Sequence, residues 1–131
     1  MVLHHNNDEE LWKAKRLFAH VLATADGNVA RFLSLKDSDE LAAIMKIINT
    51  HEFICGGILE KAYDEDLYKR MRCSVVIRDW NALSGFVQEF RKSRKNQTNV
   101  DEKTFFQDFE TVADRWIRNP LKPRQKWRLF S

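Results

Sequence analysis

The sequence predicts an all-α fold, a compact bundle of four long helices and one short helix around a central apolar helix at about 38–61. Three observations carry that expectation. Four Gly and two Pro in 131 residues leave little material for hairpins and tight turns. The longest apolar run, LAAIMKIINTHEFICGGIL at 41–59, is apolar over most of a helical circumference. Leu41, Ile44, Met45, Ile48 and Cys55 share one side, while Ile47, Ile54 and Ile58 lie off it, and such a helix needs neighbours on several sides. The flanking segments each carry a single apolar stripe at helical spacing. The length suits one core, so residues 1–118 are expected to form one helical domain, with 119–131 as a basic aromatic tail.

The first helix is expected to start near Asp8, capped by Asn7 or Asp8, with Glu9 and Glu10 favoured by the dipole. Leu11, Phe18, Leu22 and Ala25 form its stripe, and Gly27 supplies a left-handed C-cap. A short helix at about 29–35 carries Phe32, Leu33 and Leu35. Asp37 with Glu40 reads as an acidic capping box opening the central helix. Inside that helix Gly56 and Gly57 cost about 1 kcal/mol each against Ala, which points to close approach of another helix or to a kink, close packing being favoured. Asp64 caps a fourth and longest helix, reaching about Arg91. Leu67, Met71, Val75, Leu83, Phe86 and Phe90 should trace its buried face, and Arg70, Asp79 and Gln88 should face out. Asp101 is expected to cap the last helix, in which Phe105, Phe109, Val112 and Trp116 recur at helical spacing, and Asn119-Pro120 ends it.

Charge is distributed unevenly. Arg91, Lys92, Arg94 and Lys95 form one basic patch, and Lys122, Arg124, Lys126 and Arg128 form another. These eight cations exceed the net charge of +3, so the rest of the chain is mildly acidic. Such patches attract nucleic acid, anionic lipid or an acidic protein surface. The first patch also sits at the negative end of a helix dipole, which is sufficient structural reason for it. In the tail, Trp127 and Phe130 stand among the cations, a pattern that stacks bases or anchors to a partner protein. Two cysteines, Cys55 and Cys73, lie in helical apolar segments without a CxxC pair or a disulfide framework. A reducing cytoplasm is therefore expected. No run approaches the ~20 apolar residues of a membrane span, and no signal peptide is evident.

The polar residues of the central helix are the candidates for chemistry. Asn49 and Glu52 are read as a polar clamp with Arg78 of the long helix, because a buried carboxylate needs a partner. No second acid stands at a spacing that makes a hydrolytic carboxylate pair. His51 and Cys55, four apart, are two metal ligands at most, and zinc needs three or four. A Cys55 nucleophile with His51 as base lacks any suggested oxyanion donor. No phosphate-binding glycine loop, zinc-finger or RRM spacing is present. The expectation is no enzyme, no cofactor and no metal.

From Ile48 to about Trp116 the chain resembles family 4760 of the domains of unknown function, a bacterial and phage-associated family. The resemblance rests on INTHEFICGGILEKAYDEDLYKRMRCSVVIRDWNALSGFVQEFRKSR followed by FETVADRW, with Asn49, Glu52, Gly57, Ile58, Asp64, Trp80 and Arg91 in the family's places. Ala62 or Tyr63 stands where a turn glycine is common in the family, and the N-terminal membrane helix of many members has no counterpart here. The resemblance implies a helical protein of unestablished activity and a phage or mobile-element source. Together these readings favour a non-enzymatic protein-interaction module using Arg91, Lys92, Arg94, Lys95, Lys122, Arg124, Lys126, Trp127, Arg128 and Phe130. The alternative is nucleic-acid binding through the same basic patches. Homodimerisation is compatible with apolar surface on the Phe-rich last helix.

Overall fold

The computed structural model describes residues 2–97 and 99–124, with side chains from Glu9 onward. Among these residues the chain forms four α-helices and two 3₁₀ turns, and no strand. The helices are α1 (Val2–Thr24), α2 (Asp39–Leu59), α3 (Glu65–Arg94) and α4 (Gln107–Arg118). The 3₁₀ turns are Val29–Ser34 and Glu102–Thr104. The helical class and the short helix near 29–35 are as expected.

Helix α1 begins ahead of the expected start near Asp8. No Gly or Pro interrupts residues 2–10, so the helix propagates through both expected caps. Its buried stripe is Ala14, Phe18, Val21 and Ala25, with Leu11 and Leu22 on the flanks. Asp26 and Gly27 both take positive φ and end the helix. The first 3₁₀ turn then packs Val29 and Phe32 into the core and lies against α3.

Helix α2 is the centre of the fold, in contact with α1, α3 and α4. Ala43, Ile44, Ile47, Ile48, His51, Cys55 and Ile58 are all buried along it. Its cap is Ser38, whose hydroxyl accepts from the Leu41 N–H at 3.1 Å. Asp37 cannot serve, because its φ of 65° is left-handed whereas a capping residue needs extended backbone. Gly56 allows close approach of the Asp108 segment of α4, as expected, whereas Gly57 makes room for the turn that follows its own helix. A Cβ on Gly57 would overlap the Tyr63 ring, and one on Gly56 would meet Asp108 Oδ2 at 3.1 Å. The turn into α3 is closed by the Ala62 and Tyr63 N–H groups donating to the Gly57 carbonyl. Lys61, with φ of 63°, takes the left-handed position in that turn.

Helix α3 has 30 residues, about 45 Å at 1.5 Å per residue, and Asp64 caps it through Leu67 N–H at 3.0 Å. Its buried face matches the expected one in the second half and departs from it in the first. Cys73, Val76, Asp79, Trp80, Leu83, Phe86, Val87 and Phe90 are inside, while Leu67 and Met71 are 55% and 62% exposed. Leu83, Phe86 and Phe90 are buried as expected, but in the first half of the helix Cys73 and Val76 take the places expected of Leu67 and Met71, and Asp79 turns inward with them. Asp101 caps the second 3₁₀ turn, accepting from Lys103 N–H at 2.9 Å, and not α4. Helix α4 begins later, after Phe106, and buries Phe109, Val112, Ala113 and Trp116. Phe106 and Phe109 point into the core, so the apolar surface expected on this segment is largely absent.

Candidate functional site

The start of α4 has an unusual cap. Phe106 occupies the capping position with φ of 62°, a left-handed conformation uncommon for a bulky residue, and offers no side-chain acceptor. The orphan N–H groups that every helix start exposes are met instead by Glu52 of α2. Phe109 N–H donates to Glu52 Oε1 at 2.8 Å, and Asp108 N–H reaches Oε2 at 3.4 Å. The carboxylate also faces the positive end of the α4 dipole. Burial, helped by the nearby Asp108 charge, pushes the Glu52 carboxyl above its ordinary value, against the pull of those N–H groups and of Arg91.

Arg91 of α3 holds the same junction. It is 7% exposed, donating from Nε to the Phe105 carbonyl and from a terminal nitrogen to Glu110 Oε1, both at 3.0 Å. Two aromatic contacts complete the junction around Phe109, which is fully buried. His51 stacks on its face at 4.6 Å, and Trp80 meets it edge-on at 5.1 Å. At the other end of α4, Trp116 Nε1 donates to Glu65 Oε2 at 2.9 Å.

Beneath this junction lies a buried polar contact between α2 and α3. His51 Nε2 donates to Asp79 Oδ2 at 2.8 Å, and Arg78 Nε donates to Oδ1 at 3.0 Å. Burial alone would raise the Asp79 carboxyl, but the hydrogen bonds from His51 and Arg78 outweigh it and hold the group below its ordinary value. Asp79 is therefore an ionised acceptor, and the His51 ring nitrogen that faces it, Nε2, carries the proton. His51 Nδ1 has no partner among the described residues.

The expected clamp of Asn49, Glu52 and Arg78 is corrected on two counts. Asn49 is exposed, one position round the helix from buried Ile48. Arg78 pairs with Asp79, its neighbour in sequence, and Glu52 is satisfied by α4 backbone. Glu52 instead accepts from the first N–H groups of α4. Burial and the Glu52 charge push the Cys55 thiol up to about 12, which leaves it protonated and unsuited to nucleophilic attack. Both cysteines are free and buried. Among the described residues no three His, Cys, Asp or Glu gather as a metal site.

The first basic patch is smaller than its sequence suggests, because Arg91 is withdrawn into the fold. Lys92 pairs with Glu89 at 3.2 Å, Arg94 lies over the Phe90 ring at 5.0 Å, and Lys95 is exposed. Lys122 and Arg124 are exposed and follow α4 outside any helix. Lys126, Trp127, Arg128 and Phe130 lie outside the described residues. Among the described residues no helix is long and apolar enough to cross a membrane.

Fold and site together define a small all-helical domain whose buried polar side chains lock one short helix onto two long ones. The chain belongs to the family described as a domain of unknown function (DUF4760), whose model matches residues 1–116. That span extends the resemblance back through α1. Of the residues in the family's places, Glu52, Trp80 and Arg91 converge on the start of α4, Gly57 seats Tyr63, and Asp64 caps α3. Comparison with curated proteins and with solved structures found no match.

Proposed function

We propose that this chain is a non-enzymatic protein-interaction module. The observation that carries the reading is the apolar ridge of Leu67 and Met71, one helical turn apart and mostly exposed at the start of the longest helix. Large apolar side chains held in water beside each other are what a partner's groove covers. The groups that looked chemical support the same reading. Both oxygens of Glu52 face the backbone of α4, the Cys55 thiol stays protonated, and Arg91 is engaged in holding the helix junction. Lys92, Arg94 and Lys95 stand at the opposite end of α3, about 30 Å along the helix from Met71, and so lie apart from this ridge. The reading places the protein in a reducing cytoplasm, consistent with two free cysteines, and fits a phage or mobile-element protein that blocks or bridges a host complex.

Affinity capture from the source cells followed by mass spectrometry tests it. Wild-type protein should retain a partner that a Leu67→Asp/Met71→Asp chain loses, with both chains equally folded. Retention by the double variant would remove the ridge from the interface. The nucleic-acid reading has weaker support, since Arg91 is spent internally. Its test is a mobility shift that weakens steeply with salt, because phosphate contacts release counterions.

A further inference from the structure

The cleft between α1, α2 and α3 is lined in part by a guanidinium, that of Arg72, whose Nε no described residue satisfies. It encloses about 440 Å³, within the range of small-molecule sites, roughly 300–1,000 Å³. Lys15, Arg72 and Arg78 line it, against the single carboxylate of Asp79, which is already bonded by His51 and Arg78. Phe18, Ile47 and Val75 give the same cleft apolar walls. Two buried nitrogens on its lining residues, Arg72 Nε and His51 Nδ1, have no hydrogen-bond partner among the described residues. Arg72 is the sharper case, because the structure gives its guanidinium no ion pair with any described residue. A half-buried guanidinium left unpaired in its own fold is costly unless something else supplies the acceptor.

We propose that this cleft binds a small amphipathic carboxylate, a medium-chain fatty-acid-like anion. The carboxylate would sit against Arg72, with Lys15 and Arg78 at hand, and the hydrocarbon chain would lie along Phe18, Ile47 and Val75. A water occupies about 30 Å³ of liquid, so 440 Å³ has room for roughly a dozen non-hydrogen atoms with some slack. An uncharged chain of the same length leaves the guanidinium unpaired, and a small inorganic anion leaves the apolar walls wet. The inference is independent of the protein-interaction reading, and either can fail without the other.

Calorimetric titration of the full chain with sodium decanoate, below its micelle concentration, tests the assignment. Saturable binding of one decanoate per chain is expected, weakened about tenfold or more by Arg72→Gln and, to a similar degree, when decanol replaces decanoate. Lys15→Gln, at an exposed position, supplies the same comparison should Arg72→Gln fail to fold. No saturable binding into the millimolar range overturns the proposal. So does a folded Arg72→Gln or Lys15→Gln chain that binds like wild type, or decanol binding as tightly as decanoate.

Discussion

Replacing Glu52 with Ala isolates the feature on which the α4 junction depends. The substitution removes the acceptor of the Phe109 N–H, a bond of 2.8 Å to a charged oxygen, and leaves that donor inside a residue with no solvent exposure. Hydrogen bonds to charged groups contribute about 1.5–3 kcal/mol, and losing a capping side chain costs about 0.5–2 kcal/mol. The Asp108 bond, at 3.4 Å, is long and adds little. Burial of the carboxylate offsets part of the gain, as its raised pKa records. The net expectation is a loss of about 2 kcal/mol, or roughly 7 °C in Tm at 3–4 °C per kcal/mol for a domain of this size. Urea denaturation followed by circular dichroism measures it, with the exposed Asn49→Ala as the reference that should stay within about 0.5 kcal/mol. A Glu52→Ala chain as stable as the Asn49→Ala chain would refute the cap.

The same geometry sets further outcomes for the buried carboxylates and the glycines. Asp79→Asn should cost about 3 kcal/mol, since it breaks a buried pair and strands His51, and denaturant midpoints will show it. The two carboxylates impose opposite pH slopes. Asp79 is depressed in the fold, so its contribution is present above its unfolded value near 3.8 and is lost as pH falls through the lower folded value. Glu52 is raised, so its ionisation lowers stability as pH climbs from 4.5 through its folded value, and Glu52→Gln should abolish that slope alone. Among the glycines, Gly57→Ala should destabilise by about 1–3 kcal/mol through overlap with Tyr63. Gly85→Ala, with nothing near its Cβ in mid-helix, should stabilise by roughly 0.5–1 kcal/mol in the same melts.

The helices themselves were legible because their signals are local. Asp64 announces α3 by its own chemistry, and the run at 41–59 announces a helix with neighbours on several sides. Stripe registration was harder. Leu67 and Met71 fit a helical stripe as well as Cys73 and Val76 do, and only the tertiary fold decides which side is covered. Asp79 lies three residues after Val76 and four before Leu83, and His51 stands likewise between Ile48 and Cys55. Two polar residues, each on an apolar stripe, are the signal that pairs them. The junction at α4 carried no such signal. Glu52 meets Phe109 across 57 residues, and the left-handed turn at Phe106 is set by packing on Phe90 at 5.1 Å and by the hold of Arg91 on the Phe105 carbonyl. Nothing within the segment itself, where Asp101 is the better local cap, places the helix start at Gln107.

The central claim is that the buried polar residues serve the fold and that function lies on the exposed surface. Equilibrium binding of the captured partner to two chains, Glu52→Gln and Leu67→Asp/Met71→Asp, at a temperature where both are folded, tests it most directly. Wild-type affinity is expected for Glu52→Gln, and a loss of about tenfold or more for the ridge variant. Full affinity in the ridge variant, together with loss in Glu52→Gln, would contradict it.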